Sequence, residues 1–216
     1  MKTPKITKLL PMAMALMLAC PAFAATNTSS SEMTLTVPAF INVTKESAVE
    51  TSSATFNDAY STITLAPALN ANFKVVTNVP DKVVYLKATA ETSDGADGVS
   101  SALCGDTSAM YLVFTNTTRK PADLDVSNIT TMSGTAKAKN PNAIAFLVTP
   151  TITPDGTSGA TAPTTEFVDG KAKYTLKNGV YAMGYTLATS ALAETFSTHD
   201  TNGTYKATLV MTDANP

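Results

Sequence analysis

The chain has no tryptophan, a single histidine, a single arginine and two cysteines in 216 residues, and only 15% of the residues are charged. Each scarcity closes off a class of chemistry. Once Cys20 is removed with the N-terminal segment described below, one histidine and one thiol cannot supply the three or four nitrogen and sulfur ligands of a usual zinc site. His199 lies in the polar stretch Ser197-Thr198-His199-Asp200, and no G-x-S-x-G elbow places a nucleophile beside it, so a turn or surface histidine is expected. Neither G-x-x-x-x-G-K nor G-x-G-x-x-G occurs, which argues against a phosphate-cradling loop and a nucleotide cofactor. Arg119 stands alone and no lysine run is interleaved with aromatics, so nucleic acid is not expected as a partner. No catalytic residue, cofactor or metal is assigned, and the chain is not read as an enzyme.

The N-terminus carries Lys2, Lys5 and Lys8, an apolar run from Leu9 to Leu18, and Ala22-Phe23-Ala24. This order of basic, apolar and small residues predicts a cleavable signal peptide over residues 1–24. The apolar run is about ten residues long, half of the roughly 20 that a membrane-spanning helix needs. Met17-Leu18-Ala19-Cys20 loosely matches a lipobox, but Pro21 and the downstream A-x-A site favour simple cleavage over acylation of Cys20. Cleavage takes three of the 15 basic residues and none of the 17 acidic ones, leaving 12 against 17 and a net charge of −5. It also leaves Cys104 without an intrachain partner. No neighbouring base would lower the Cys104 thiol pKa, and a small buried residue is expected there.

After the polar stretch Thr26–Ser31, Met33, Leu35, Val37, Ala39, Ile41 and Val43 hold every odd position, mostly separated by threonine and asparagine. Period two puts one hydrophobic stripe on one face of an extended strand. Pro38 cannot donate to a ladder and belongs at an edge or at a break between two shorter strands. Further β-rich runs follow at 61–65, 73–77, 82–90, 110–115, 143–149, 173–176, 181–188 and 204–212. Turn chemistry such as Asn78-Val79-Pro80-Asp81, Asp169-Gly170 and Asn178-Gly179 separates them. Helix signals are confined to possible short turns at 122–128 and 190–196. An all-β, antiparallel sandwich of the immunoglobulin-like kind is expected, with little helix. Its organisation would be a signal over 1–24, an N-terminal extension over 25–44 and one sandwich domain over 45–216.

Residues 91–106 and 149–166 are rich in Gly, Pro, Thr, Ser and Asp and read as long exposed loops or hairpin tips. They are the natural site for a sugar or host ligand if the protein is a monomeric binding module. Asp94-Gly95-Ala96-Asp97-Gly98 lacks the spacing of a calcium loop, and a plain turn is favoured. A hydrolase built on a pair of carboxylates is the remaining enzymatic alternative.

The final run, Gly203-Thr204-Tyr205-Lys206-Ala207-Thr208-Leu209-Val210-Met211-Thr212, alternates as cleanly as Met33-Thr34-Leu35-Thr36-Val37 does. Together with the secretory signal and the polar start, these ends resemble a fimbrial subunit of the chaperone–usher type. The resemblance implies an immunoglobulin-like fold that lacks one strand, and polymerisation in which a neighbour's N-terminal strand fills the gap. On that basis Met33, Leu35, Val37, Ile41 and Val43 would be donor-strand residues, and Tyr205, Ala207, Leu209 and Met211 would face inward from the accepting strand. It further implies a non-enzymatic structural or adhesive protein on the bacterial surface, reached through the periplasm. A periplasmic chaperone and an outer-membrane usher would be its partners. The resemblance covers about 30 residues, and Pro38 and the absence of paired cysteines depart from the family pattern.

Overall fold

The computed structural model describes residues 31–90, 102–119, 142–192 and 195–214, and the chain divides between Val37 and Pro38 into two units. In the first unit, residues 31–37 are exposed and carry no regular secondary structure. Among the described residues the second unit has thirteen strands. They are β1 (Ile41–Lys45), β2 (Ser53–Phe56), β3 (Ile63–Ala66), β4 (Asn70–Thr77), β5 (Lys82–Thr89), β6 (Leu103–Gly105), β7 (Met110–Asn116), β8 (Ala143–Pro154), β9 (Thr164–Val168), β10 (Lys171–Leu176), β11 (Gly179–Leu187), β12 (Tyr205–Lys206) and β13 (Thr208–Thr212). A seven-stranded sheet runs β1-β4-β11-β8-β7-β12 with β6 also on β7, a four-stranded sheet runs β13-β5-β10-β9, and β2 and β3 form a separate ribbon. Every strand pairing is antiparallel, and no α-helix occurs among the described residues. The all-β, sandwich-like class expected from the alternating runs is the one observed.

Alternation also builds the core. Phe73, Val75 and Thr77 in β4, Val84, Leu86 and Ala88 in β5, Ala172, Tyr174 and Leu176 in β10, and Tyr181, Met183, Tyr185 and Leu187 in β11 are buried at every second position. Their side chains form one cluster drawn from both sheets. The rings of Tyr174 and Tyr185 bridge the sheets with centroids 6.4 Å apart, and Phe73 meets Tyr185 edge-on at 6.1 Å. The β9–β10 hairpin turns at Asp169 and Gly170, with φ of 51° and 70°. Two consecutive left-handed residues match the twist of the flanking strands, which is why Asp-Gly marks the turn in the sequence.

Three features differ from the sequence expectations. The stretch 149–166 is not one long loop, because β8 runs on to Pro154 and β9 begins at Thr164. Beyond Val148, β8 pairs with β11 alone, so Pro150 and Pro154 lie on a stretch with a free edge where a missing N–H is tolerated. The stretch at 190–196 makes no helix where it is described. Ser190 instead bridges to Thr64, and Leu192 N–H donates to the Ala145 carbonyl at 2.8 Å. Finally, the boundary drawn after residue 44 falls inside β1. Ile41 pairs with Thr77 and Lys45 with Phe73, and Ile41 and Val43 rest half-buried against the core. The strand is anchored ahead of Ile41 as well: the Phe40 N–H donates to Asn78 Oδ1 at 2.8 Å, and Asn78 Nδ2 donates to the Pro38 carbonyl at 2.8 Å. The folded unit therefore starts at Pro38.

Leu86 is fully buried between the sheets. Leu86→Ala should cost about 2–5 kcal/mol through lost burial and the cavity left behind. A urea titration followed by circular dichroism should show a lower midpoint at unchanged slope; an unchanged midpoint would contradict this core assignment.

Candidate functional site

The inner face of the seven-stranded sheet is not fully covered. Beside the C-terminal strand it opens into two adjoining recesses of about 400 and 480 Å³. Their floor is made by Leu112 and Phe114 of β7, Ile144 and Phe146 of β8, Phe73 of β4 and Leu187 of β11. Phe114 and Phe146 meet edge-to-face with centroids 5.6 Å apart, so the floor is held in a fixed aromatic arrangement. The recesses share Glu50, Leu69, Phe114, Lys206 and Ala207 and so form one groove.

Two strand edges flank the groove. On one side Glu50, Thr51, Ser52 and Ala54 lead into and along β2, whose only strand partner among the described residues is β3. On the other side Gly203 to Leu209 run along β12 and β13, each the last strand of its sheet. Edge strands present unpaired N–H and C=O groups, the template that an added strand requires. Seven residues from Gly203 to Leu209 give the groove a length of about 20 Å at the usual rise of a strand. The Asn70–Phe73 end is rimmed by polar and charged groups, among them Lys45 and Glu50, which form an ion pair. Floor residues are apolar throughout.

The last strand reaches both sheets because it changes partner. Tyr205 and Lys206 pair with Asn116 and Thr115 of β7, whereas Thr208–Thr212 pair with Thr89–Tyr85 of β5. The turn before it is tied down by the buried Asn116, whose Nδ2 donates to the carbonyls of Thr201 at 3.3 Å and Asn202 at 3.4 Å. Gly203 has φ of 148° and lies so close to Asn116 that a Cβ would stand 2.9 Å from that amide nitrogen, so a side chain does not fit there. Tyr205 Oη donates to the Thr201 carbonyl at 2.9 Å, and burial pushes its phenol pKa up to about 12.

Of the residues singled out on the last strand, Tyr205, Ala207 and Leu209 line the groove, while Met211 is buried in the core beyond it. Of those singled out near the N-terminus, Met33, Leu35 and Val37 are 90%, 86% and 69% exposed. Ile41 and Val43 do not join them: they are committed to β1 in their own sheet, so a donor segment can comprise only the residues before Pro38. Leu69, Phe114, Ile144, Phe146 and the β2 edge were not picked out from the sequence. The strands carrying Phe114 and Phe146 are legible as alternation, but an uncovered face depends on which strands fail to pair opposite it.

The other candidates carry less. His199 is exposed in a turn, with its N–H donating to Ser197 Oγ at 3.2 Å. Cys104 is buried in β6 without a disulfide, and burial pushes its thiol up to about 12. Residues 91–101, including Asp94 and Asp97, lie outside the described residues, as does the stretch at 122–128. Asp106 is held below the usual carboxylate range by N–H donors from Ala109 and Ser108, and Asp155 by the hydroxyl and N–H of Thr157. Both shifts run opposite to that of a general acid. Among the described residues, no three His, Cys, Asp or Glu side chains gather as a metal site would require, and no helix is long and apolar enough to cross a membrane. No protein-family model matches the chain, and no curated protein matches it.

Both Cys104 and Tyr205 favour the neutral form when folded, relative to ordinary values of 9.0 and 10.0. Their contribution is therefore complete below pH 9 and lost as pH rises through about 9 to 12. Urea midpoints should be level up to pH 9 and fall above it. Cys104→Ala should show a shallower fall; the same slope in both proteins would show that the thiol is not buried.

Proposed function

We propose that the protein is a secreted structural subunit of the bacterial surface, pilin-like, that polymerises by donating its N-terminal strand to the groove of the next copy. In this reading the second unit is an incomplete immunoglobulin-like sandwich. The donor is the stripe Met33, Leu35 and Val37, and the acceptor is the groove lined by Tyr205, Ala207 and Leu209. The supporting observation is the coexistence in one chain of an apolar groove between two strand edges and an exposed segment whose sequence alternates apolar and polar residues. Three exposed large apolar side chains in one short segment are costly to leave in water. Each offers what the other lacks: side chains for pockets and main-chain groups for an edge.

Within the second unit, the point where the chain enters and the groove lie towards opposite ends of β4. The chain enters the second unit at the Thr77 end of β4, where Asn78 clamps Pro38 and Phe40, and β1 then runs towards Phe73. The groove opens at the Phe73 and Asn70 end of β4. A head-to-tail contact of this type does not close on itself and so generates a fibre. No catalytic group is needed for such a role, and a periplasmic chaperone and an outer-membrane usher would be its assembly partners.

Deleting residues 25–37 from the mature protein tests the proposal, since that cut leaves β1 intact. Size-exclusion chromatography should show polymers for the full mature chain and monomers for the truncated one, and a synthetic peptide of residues 31–38 should bind the truncated monomer. A monomeric full-length protein, or polymers that survive the deletion, would refute strand donation.

A further inference from the structure

The β2–β3 ribbon ends in a pair of exposed aromatic rings that are part of neither the buried core nor the groove lining. Phe56 is 54% and Tyr60 65% exposed, with ring centroids 6.1 Å apart, and Phe196 stacks on Phe56 at 5.3 Å. Tyr60 holds φ of 51°, a conformation a bulky residue rarely adopts. Asn57 holds that turn: its carbonyl accepts from the Tyr60 N–H at 2.9 Å, and its Oδ1 accepts from the N–H groups of Ser61 at 2.7 Å and Thr62 at 3.0 Å. The turn thus keeps an aromatic ring in water at a conformational cost, an arrangement found where a side chain has a role.

We propose that this aromatic tip is a second contact between successive copies, and that it receives Phe40 of the copy whose strand fills the groove. The inference rests on the strand-donation reading and adds the direction of the donor to it. Phe40 is 48% exposed and held at the donor's base by Asn78. It lies three positions after Val37, a reach of about 10 Å. Wherever Val37 is seated, Phe40 therefore arrives at the adjoining end of the groove.

Pro38 decides which end. Running antiparallel to the last strand, the donor can set Met33 against Leu209, Leu35 against Ala207 and Val37 against Tyr205. Pro38, which has no N–H, then falls opposite Thr204, where β12 has not yet begun. In the parallel register Val37 faces Leu209, and Pro38 falls opposite Val210 in the middle of β13, where a ladder donor is missing. The antiparallel donor therefore leaves the groove past Gly203. That is the end at which Ile63, the ladder partner of Phe56, lines the wall.

Cysteine pairs in the full mature chain, in a Cys104→Ala background, test the contact separately from donation. Leu35→Cys with Ala207→Cys reports the seated strand in either direction, Met33→Cys with Leu209→Cys the antiparallel register, and Phe40→Cys with Tyr60→Cys or with Phe56→Cys the aromatic contact. On mild oxidation each of these designs should give a ladder of disulfide-linked oligomers, and Phe56→Ser with Tyr60→Ser should speed polymer dissociation at least tenfold. Ladders from Leu35→Cys with Ala207→Cys but none from either Phe40→Cys design would overturn the aromatic contact and leave donation standing. A ladder from Val37→Cys with Leu209→Cys in place of the Met33→Cys design would overturn the direction. No ladder from any design would overturn strand donation itself.

Discussion

The structure depends on an imbalance between its two sheets. Seven strands form one layer and four the other, so among the described residues the smaller sheet does not cover the whole inner face of the larger one. Where the layers do meet, Tyr174, Tyr185, Phe73 and Leu86 close a dry core. Where they do not, the same alternation that buries side chains elsewhere leaves Phe114 and Leu69 lining an open groove. The groove is a consequence of the rule that made the core, applied where the smaller sheet does not reach.

That imbalance explains why the last strand is tied so firmly. It crosses from β7 to β5 and so is the one strand paired to both main sheets along the groove. The buried Asn116 and the close approach of Gly203 fix its start, and Met211 fixes its far end in the core. A flexible strand there would collapse onto Phe114 and close the groove. Likewise Asn78 holds Pro38 and Phe40, so the exposed segment before them leaves the domain from a defined point.

Much of this was legible in the sequence because period-two alternation is a local signal. The stripe of Tyr205, Ala207, Leu209 and Met211 and the Asp169-Gly170 turn are read correctly from neighbouring residues alone. Short strands were missed: β2 with Ser53-Ala54-Thr55-Phe56, β6 with Leu103-Cys104-Gly105 and β9 with Thr164–Val168 are too brief or too polar to show a period. The alternation from Met33 to Val43 misled in a different way. It is continuous in sequence, yet Ile41 and Val43 pair with β4 while Met33, Leu35 and Val37 stay exposed, because Pro38 interrupts the ladder and Asn78 captures the backbone there. The groove itself was not legible, since an uncovered sheet face depends on sheet order, which no local pattern encodes.

The split of that stripe bears on how strongly two copies could hold together. Burying Met33, Leu35 and Val37 contributes about 1.5–3 kcal/mol each, or roughly 5–9 kcal/mol in all. Losing the freedom of two separate bodies costs about 4–15 kcal/mol. Three side chains alone therefore give a weak link. Had Ile41 and Val43 been available, the donor would have carried five, but they are needed to close β1 onto β4. The difference must come from main-chain bonds to the free edges and from contacts outside the groove. Of the exposed large hydrophobic residues, Phe40 stands at the donor's base, and Phe56 and Tyr60 lie at the end of the groove where that base would arrive.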